Sequence, residues 1–271
     1  MERDRLSGAA EIGSGLADRF LSALEEDALY ETCRDVLATY PSMASIWQMA
    51  NLAFLHGGEA APEYKKMEQA DRAVVRHGAA MLKPDTMVLT YSRSSTVMHI
   101  LRDSADKHVQ AICSEGRPNY EGRQLARELT TAGIDVRYAT DAGVLSLVNT
   151  ADVVLVGADG LLDGGVVNKT GSAALALAAG RHDVPLYMAS SSYKRFPFVL
   201  VRQEASGEVW SDAPAGVTVD NVYFERVPAG LVTGIVTENG VQDTIPSFTR
   251  PVADEIWQLR DELAGRYRLL E

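Results

Sequence analysis

The stretch DVVLVGADGLLDGGVVNKTGSAALAL, residues 152–177, decides the fold class. Val153, Val154, Leu155 and Val156 form an unbroken apolar run, the pattern of a short strand buried on both faces. A loop carrying Gly157, Gly160, Gly164 and Gly165 is expected next, leading through Asn168 and Lys169 into a helix over residues 172–181. Strand, glycine loop and helix start put bare backbone N–H groups and the positive end of a helix dipole where an anion can sit. Lys169 stands at that helix entrance. Asp159 lies just past the carboxyl end of the strand, the edge at which open α/β sheets collect ligands. The stretch is therefore a candidate site for a phosphorylated small molecule. Glycines also serve as plain turn punctuation, and neither GxxxxGK[ST] nor GxGxxG is present, so on these residues alone loop and site stay open.

Working outward, further strand-like runs occupy residues 87–91, 109–113, 136–139, 186–189 and 231–236. Helical segments over residues 95–105, 120–132 and 142–149 separate the earlier ones. Strands alternating with helices imply a mainly parallel sheet with right-handed crossovers. Residues 12–83 carry a different rhythm. Leu16, Phe20 and Leu24, then Cys33, Val36 and Leu37, recur at helical steps. Ser42 is the expected N-cap of a helix containing Ile46, Trp47, Ala50 and Leu55, which Gly57 and Gly58 end. Pro62 opens another through Tyr64, Met67, Val74 and Met81. The expected organisation is an N-terminal helical domain, residues 1–83, followed by a Rossmann-like α/β domain, residues 84–271. The last segment, 252–270, is amphipathic through Ile256, Leu259, Leu263 and Tyr267, packed on its own sheet or at a subunit contact.

The chain of 271 residues is 46% hydrophobic, enough for a sizeable core. A net charge of -11 argues against general affinity for nucleic acid or an anionic membrane. No run approaches the ~18 apolar residues of a membrane span, and the first residues, MERDRLSGAAEIG, lack a signal-peptide core. Two cysteines, Cys33 and Cys113, form no disulfide framework or zinc pattern, and the five histidines show no metal-binding spacing. A cytoplasmic protein with no metal or redox cofactor is the expectation.

In a parallel sheet the carboxyl ends of the strands meet along one edge, and polar residues recur there. The first strand leads into Thr90, Tyr91, Ser92 and Arg93, the second into Ser114, Glu115, Gly116 and Arg117. The third gives Asp141, the fourth Asp159, and the fifth Ser190 through Lys194. Arg93, Arg117, Lys169 and Lys194 suit phosphate oxygens, and a carboxylate beside them suits proton transfer on the same substrate.

Three blocks, SEGRPNYEGRQLARELTTAGIDVRYATDAG (114–143), VGADGLLDGGVVNKTGSAALALAA (156–179) and VTGIVTENG (232–240), closely resemble one superfamily. It contains the α, β and δ subunits of translation initiation factor 2B, methylthioribose-1-phosphate isomerase and ribose-1,5-bisphosphate isomerase. The resemblance covers about residues 84–245. It implies a helical domain followed by a Rossmann-like domain and a homodimer or larger homo-oligomer. The isomerases are similar to one another in using a cysteine and an aspartate for aldose–ketose interconversion. Their aspartate is matched by Asp159, and the cysteine of their T-H-C-N-like motif is replaced by Ser92. Their phosphate-binding residues are matched by Arg117, Asn168 and Lys169, with Lys194 at the late lysine position and Arg93 placed with it at a second anionic end.

Two departures bear on activity. Serine is a far weaker acid than cysteine, whose thiol titrates near about 8.5. The arginine-glycine-alanine segment of the isomerases is not evident, Met49 to Leu52 standing roughly there. Against these, the initiation-factor α subunit carries glutamate in the G-A-D block, whereas this chain keeps Asp159. The resemblance thus implies either a phosphosugar isomerase acting on a ribose 1-phosphate-type substrate, or a non-catalytic regulatory protein sensing a sugar phosphate or nucleotide.

Overall fold

A computed structural model describes residues 9–271. Four helices come first, α1 (Ala9–Glu25), α2 (Leu29–Thr39), α3 (Ala44–His56) and α4 (Ala60–Met81). There follow β1 (Met87–Thr90), α5 (Ser95–Arg102), β2 (Gln110–Ser114), α6 (Glu121–Thr131), β3 (Val136–Ala139), α7 (Asp141–Leu145) and β4 (Val153–Gly157). The chain continues through β5 (Gly160–Leu162), β6 (Gly165–Lys169), α8 (Ser172–Arg181), β7 (Leu186–Ala189), β8 (Val199–Val201) and β9 (Phe224–Pro228). It closes with β10 (Gly234–Thr237), β11 (Gly240–Gln242), α9 (Asp254–Ala264) and β12 (Arg268–Leu270).

Seven strands form the main sheet in the order β11-β10-β7-β4-β1-β2-β3, all parallel except the β10–β11 pair. The expected mainly parallel α/β architecture is what the chain adopts. Both faces are covered, which is why β1 and β4 read as continuous apolar runs. On one face Leu89, Val154 and Val156 pack with Val144 of α7 and Leu175, Ala176 and Ala179 of α8. On the other, Val88, Val153 and Leu155 pack with Val74 of α4, Val97 and Ile100 of α5, and Leu125 and Leu129 of α6. From β1 the chain winds one way to β3, and from β4 it winds the other way to β10. The carboxyl ends of β1 and β4 therefore flank the crevice where ligands of such sheets bind.

A third apolar cluster joins α1, α2 and α3 to Phe196, Phe198 and Val199 and to Ile256, Leu259 and Leu263 of α9. Phe198 lies edge-on to Trp47 at 4.9 Å and to Phe196 at 5.3 Å, a geometry worth about 0.5–1.5 kcal/mol per pair beyond burial. Asn51 of α3 latches the approach to α9, accepting from the Ala253 N–H at 2.9 Å and donating to the Pro251 carbonyl at 3.0 Å. The amphipathic C-terminal segment thus packs on the N-terminal helices, beside residues 196–200. Its helix stops at Ala264, and residues 268–270 instead pair antiparallel with β8.

Three further details differ from the sequence reading. The expected loop after β4 is a hairpin: β5 and β6 pair antiparallel around Asp163-Gly164, and β9 extends them into a three-stranded sheet. Ser42 does not cap α3; its hydroxyl donates to the Leu200 carbonyl, and Met43 holds the cap position. The strand expected from residue 231 begins at Gly234, because Ala229–Leu231 coils into a 3-10 turn. Among the described residues no helix is long and apolar enough to cross a membrane.

Candidate active site

Four of the chain's loops meet at the crevice between β1 and β4. The end of β4 lies against the start of α5, and Gly157 permits it: a Cβ there would lie 2.4 Å from the Ser94 hydroxyl. Asp159 follows with both backbone groups fixed. Its N–H donates to the Val167 carbonyl and its carbonyl accepts from the Ala44 N–H, each at 2.8 Å. The helical N-terminal region and the hairpin thus grip Asp159 from two sides. Its carboxyl receives no hydrogen bond among the described residues. Burial pushes it up to about 6, against the pull of Lys194 and Lys169 and with a smaller push from Glu121.

Lys194 stands on a 3-10 turn, Ser192–Lys194, after β7. Its ammonium is buried and donates to the Ala158 carbonyl at 2.8 Å, one residue before Asp159. Glu238 holds the turn by accepting from the Ser192 N–H at 2.9 Å. Asp71 of α4 approaches the same lysine, and burial raises its carboxyl above the ordinary range while Lys194 pulls it down.

Lys169 is the last residue of β6, three residues before α8 begins at Ser172. Its ammonium lies 2.8 Å from Oε1 of Glu121 and over the Tyr223 ring at 4.5 Å. Both partners of this ion pair are buried. Burial and a hydrogen bond to Glu208 push the Tyr223 phenol up to about 12. The N-terminus of α8 faces Glu225, whose Oε1 accepts from the N–H groups of Gly171 and Ala173 at 2.7 and 2.9 Å. A carboxylate of the chain itself thus occupies the end that the sequence suggested for an anion. Asn168 donates to the Ser172 hydroxyl at 3.0 Å.

Ser92 follows β1 in the left-handed region, with φ 59. Its N–H donates to the Ser114 hydroxyl at 2.9 Å and its own hydroxyl donates to Oε2 of Glu121 at 3.3 Å. One chain of contacts therefore runs from Ser92 through Glu121 to Lys169, with Asp159 and Lys194 beside it. Arg117 stands next to this group, donating to the Tyr120 hydroxyl at 2.6 Å and to the Val209 carbonyl at 3.4 Å. Arg93 is forked onto Glu128 of α6 at 2.9 and 3.0 Å and braces that helix. Asp141 accepts from the N–H groups of Gly116 and Arg117 and shapes the turn after β2.

The sequence reading missed Glu121, Asp71, Tyr223 and Glu225. For Glu121 a signal existed: Gly122, at the second position of a helix, makes sense only for a close approach. A Cβ there would lie 1.8 Å from the Ser114 carbonyl oxygen. For the hairpin, Asp163-Gly164 between apolar pairs was the available mark.

The site also holds unpaired buried polar atoms. Thr90 Oγ1, at the end of β1, Ser45 Oγ and both side-chain polar atoms of Gln48 have no hydrogen-bond partner among the described residues. Ser45 and Gln48 belong to the α3 segment that meets Asp159 and packs on the Ser192–Lys194 turn. A cavity of about 550 Å³ lined by Lys83, Pro84, Asp85, Asp152 and Pro185 opens at the opposite end of the sheet, away from these residues.

Comparison with known proteins places this architecture. A family model, the initiation factor 2 subunit family, matches residues 57–244. A Pyrococcus horikoshii protein named as translation initiation factor eIF-2B subunit 2-like is 35% identical over 261 residues, covering 89% of this chain and 93% of its own length. The ribose 1,5-bisphosphate isomerase of Archaeoglobus fulgidus is 27% identical over 263 residues, covering 86% of this chain and 84% of its own. The crystal structure of translation initiation factor eIF-2B from P. horikoshii superposes with a TM-score of 0.78 at 32% identity, over 90% of this chain and 94% of that one. By sequence, motif order and fold together, this chain belongs to the initiation factor 2 subunit family.

Proposed function

We propose that the protein is a phosphosugar-binding aldose–ketose isomerase acting on a ribose 1-phosphate-type substrate in the cytoplasm, as a homodimer or larger homo-oligomer. The carrying observation is Asp159: a carboxyl raised to about 6, gripped through its backbone and free of side-chain hydrogen bonds, beside two buried lysines. A group that must both take and return a proton near neutral pH works best with such a value. In this reading Asp159 shuttles the proton and Ser92 positions a substrate hydroxyl. Arg117, Asn168 and Lys169 hold one phosphate and Lys194 faces the other anionic end, while Arg93 braces α6.

A second reading is favoured by Ser92 itself. Serine where the isomerases carry cysteine suits a regulatory protein that senses a sugar phosphate or nucleotide without turnover. The test is incubation with ribose 1,5-bisphosphate and 5-methylthioribose 1-phosphate, reading ketose formation, with Asp159→Asn alongside. Turnover that vanishes in the variant supports the isomerase. Binding without turnover moves the protein to the sensing class.

A further inference from the structure

The Ser92 hydroxyl, where the isomerases carry a thiol, neither ionises near neutral pH nor accepts protons well. The hydroxyl points its proton at Oε2 of Glu121, 3.3 Å away, while the other oxygen of that carboxylate is held by Lys169 at 2.8 Å. Neither position is accidental in the backbone. Ser92 is kept in a left-handed conformation that non-glycine residues rarely adopt. Glu121 opens α6 directly after a second left-handed residue, Tyr120. Gly116 and Gly122 let the first turn of α6 lie against the end of β2: a Cβ on Gly116 would sit 2.9 Å from Glu121 Oε2, and one on Gly122 only 1.8 Å from the Ser114 carbonyl oxygen. Cys113, on the same strand end, is buried in the core with its thiol pushed up to about 12, so it offers no substitute nucleophile or base.

We propose that Ser92 and Glu121 form a proton relay gated by Lys169, in which the carboxylate supplies the basicity that the serine lacks. The inference rests on the isomerase reading above. In the unliganded site Glu121 is shared between Lys169 and Ser92. A substrate phosphate that takes Lys169 strips Glu121 of its counter-charge and leaves it free to accept the Ser92 proton. For a ribose 1-phosphate-type substrate the net change breaks the bond from C1 to the ring oxygen, moves a hydrogen from C2 to C1, and turns the 2-hydroxyl into the carbonyl. Asp159 carries the hydrogen between the two carbons. The 2-hydroxyl passes its proton to Ser92 Oγ as the serine proton moves to Glu121. The same path in reverse protonates the ring oxygen, which has received the electron pair of the broken bond. Protons and electrons balance with no oxidant and no external acid. Glu121 acts through Ser92 and touches no reacting atom, so it is a positioning residue.

The test is a four-protein comparison on ribose 1,5-bisphosphate: the native chain, Glu121→Gln, Ser92→Cys and the double variant. Glu121→Gln is expected to lower kcat by about 100-fold or more, the usual scale of a lost acid–base group, with KM unchanged or lower because Lys169 is released to the phosphate. In the cysteine background the same change should cost less than about tenfold, since a thiol ionises without help. Equal losses in both backgrounds, or a raised KM with kcat intact, would overturn the relay while leaving the isomerase standing. Absence of turnover by the native chain and by Ser92→Cys, with sugar phosphate still bound, would remove the isomerase reading and the relay with it. Should Glu121→Gln not fold, Ser92→Ala tests the relay from its other end: kcat must fall by about 100-fold with KM within about twofold.

Discussion

Replacing Asp159 by asparagine should make the protein more stable above neutral pH. An ordinary aspartate titrates near 3.8, and burial lifts Asp159 to about 6 despite two lysines. A rise of about two pH units corresponds to about 3 kcal/mol by which the folded protein disfavours the ionised form. The sign follows from which state binds the proton. Because the folded value is the higher one, the favourable contribution of protonated Asp159 is complete below about pH 4 and is lost as pH climbs through about 6. Asparagine mimics the neutral carboxyl and escapes that loss. Asp159→Asn is therefore expected to exceed the native chain by about 3 kcal/mol at pH 8 but only about 1 kcal/mol at pH 4.5. Urea unfolding at the two pH values measures this directly, and the pH 8 gain corresponds to a Tm rise on the order of 5 °C or more. A variant less stable than the native chain at pH 8, or a gap that does not change with pH, would refute the account of a carboxyl held up by burial.

Three further outcomes follow from other parts of the molecule. Lys169→Met removes the counter-charge of buried Glu121 and should cost about 3–5 kcal/mol in urea unfolding at pH 7.5, with most of it recovered in the Lys169→Met/Glu121→Gln pair; additive losses would mean the two side chains are not coupled. Gly171→Ala adds a Cβ 2.1 Å from the Tyr91 hydroxyl oxygen at a residue with φ 108, and should destabilise by about 2 kcal/mol or more while breaking the Tyr91 bond to the Thr170 carbonyl. Phe198→Ala opens the cluster shared by Trp47, Phe196 and Trp257 and should cost about 3–5 kcal/mol, with loss of near-ultraviolet circular dichroism from the tryptophans.

The central strands were legible because a strand covered on both faces cannot hide its composition: Val153 to Val156 and Leu186 to Ala189 announce themselves. The α/β class and the crevice beside Asp159 follow from them. The short antiparallel strands were not legible, for a physical reason. β5 and β6 are spaced by glycines that look like loop, and β9 carries Glu225 at the start of α8 just after Tyr223 under Lys169, so its polar residues mask any alternation. Glu121 was missed because strand-end counting selects residues directly after a strand. Its side chain arrives from the first turn of a helix, aimed by left-handed Tyr120 and admitted by Gly122. Asp141 and Arg93, singled out by the same counting, turn out to brace the turn after β2 and helix α6. Charge type at a strand end says that a side chain is available, and only the surrounding backbone says where it is spent.

The latch between Asn51 and the segment before α9 bears on how the molecule is made. Trp47 and Trp257 are separated by roughly 200 residues, and both border Phe198 in one cluster. At about 5–20 residues per second, a ribosome takes on the order of ten to forty seconds to span that interval. Until residues 196–200 and then α9 are made, the apolar face of α1, α2 and α3 lacks part of its cover. The sheet from β1 to β7 can close during that wait, but the wall that holds Asp159 through Ala44 gains its full support only afterwards. Newly made chains would thus need shielding of their helical face, and the chemistry of the crevice would be among the last features to mature.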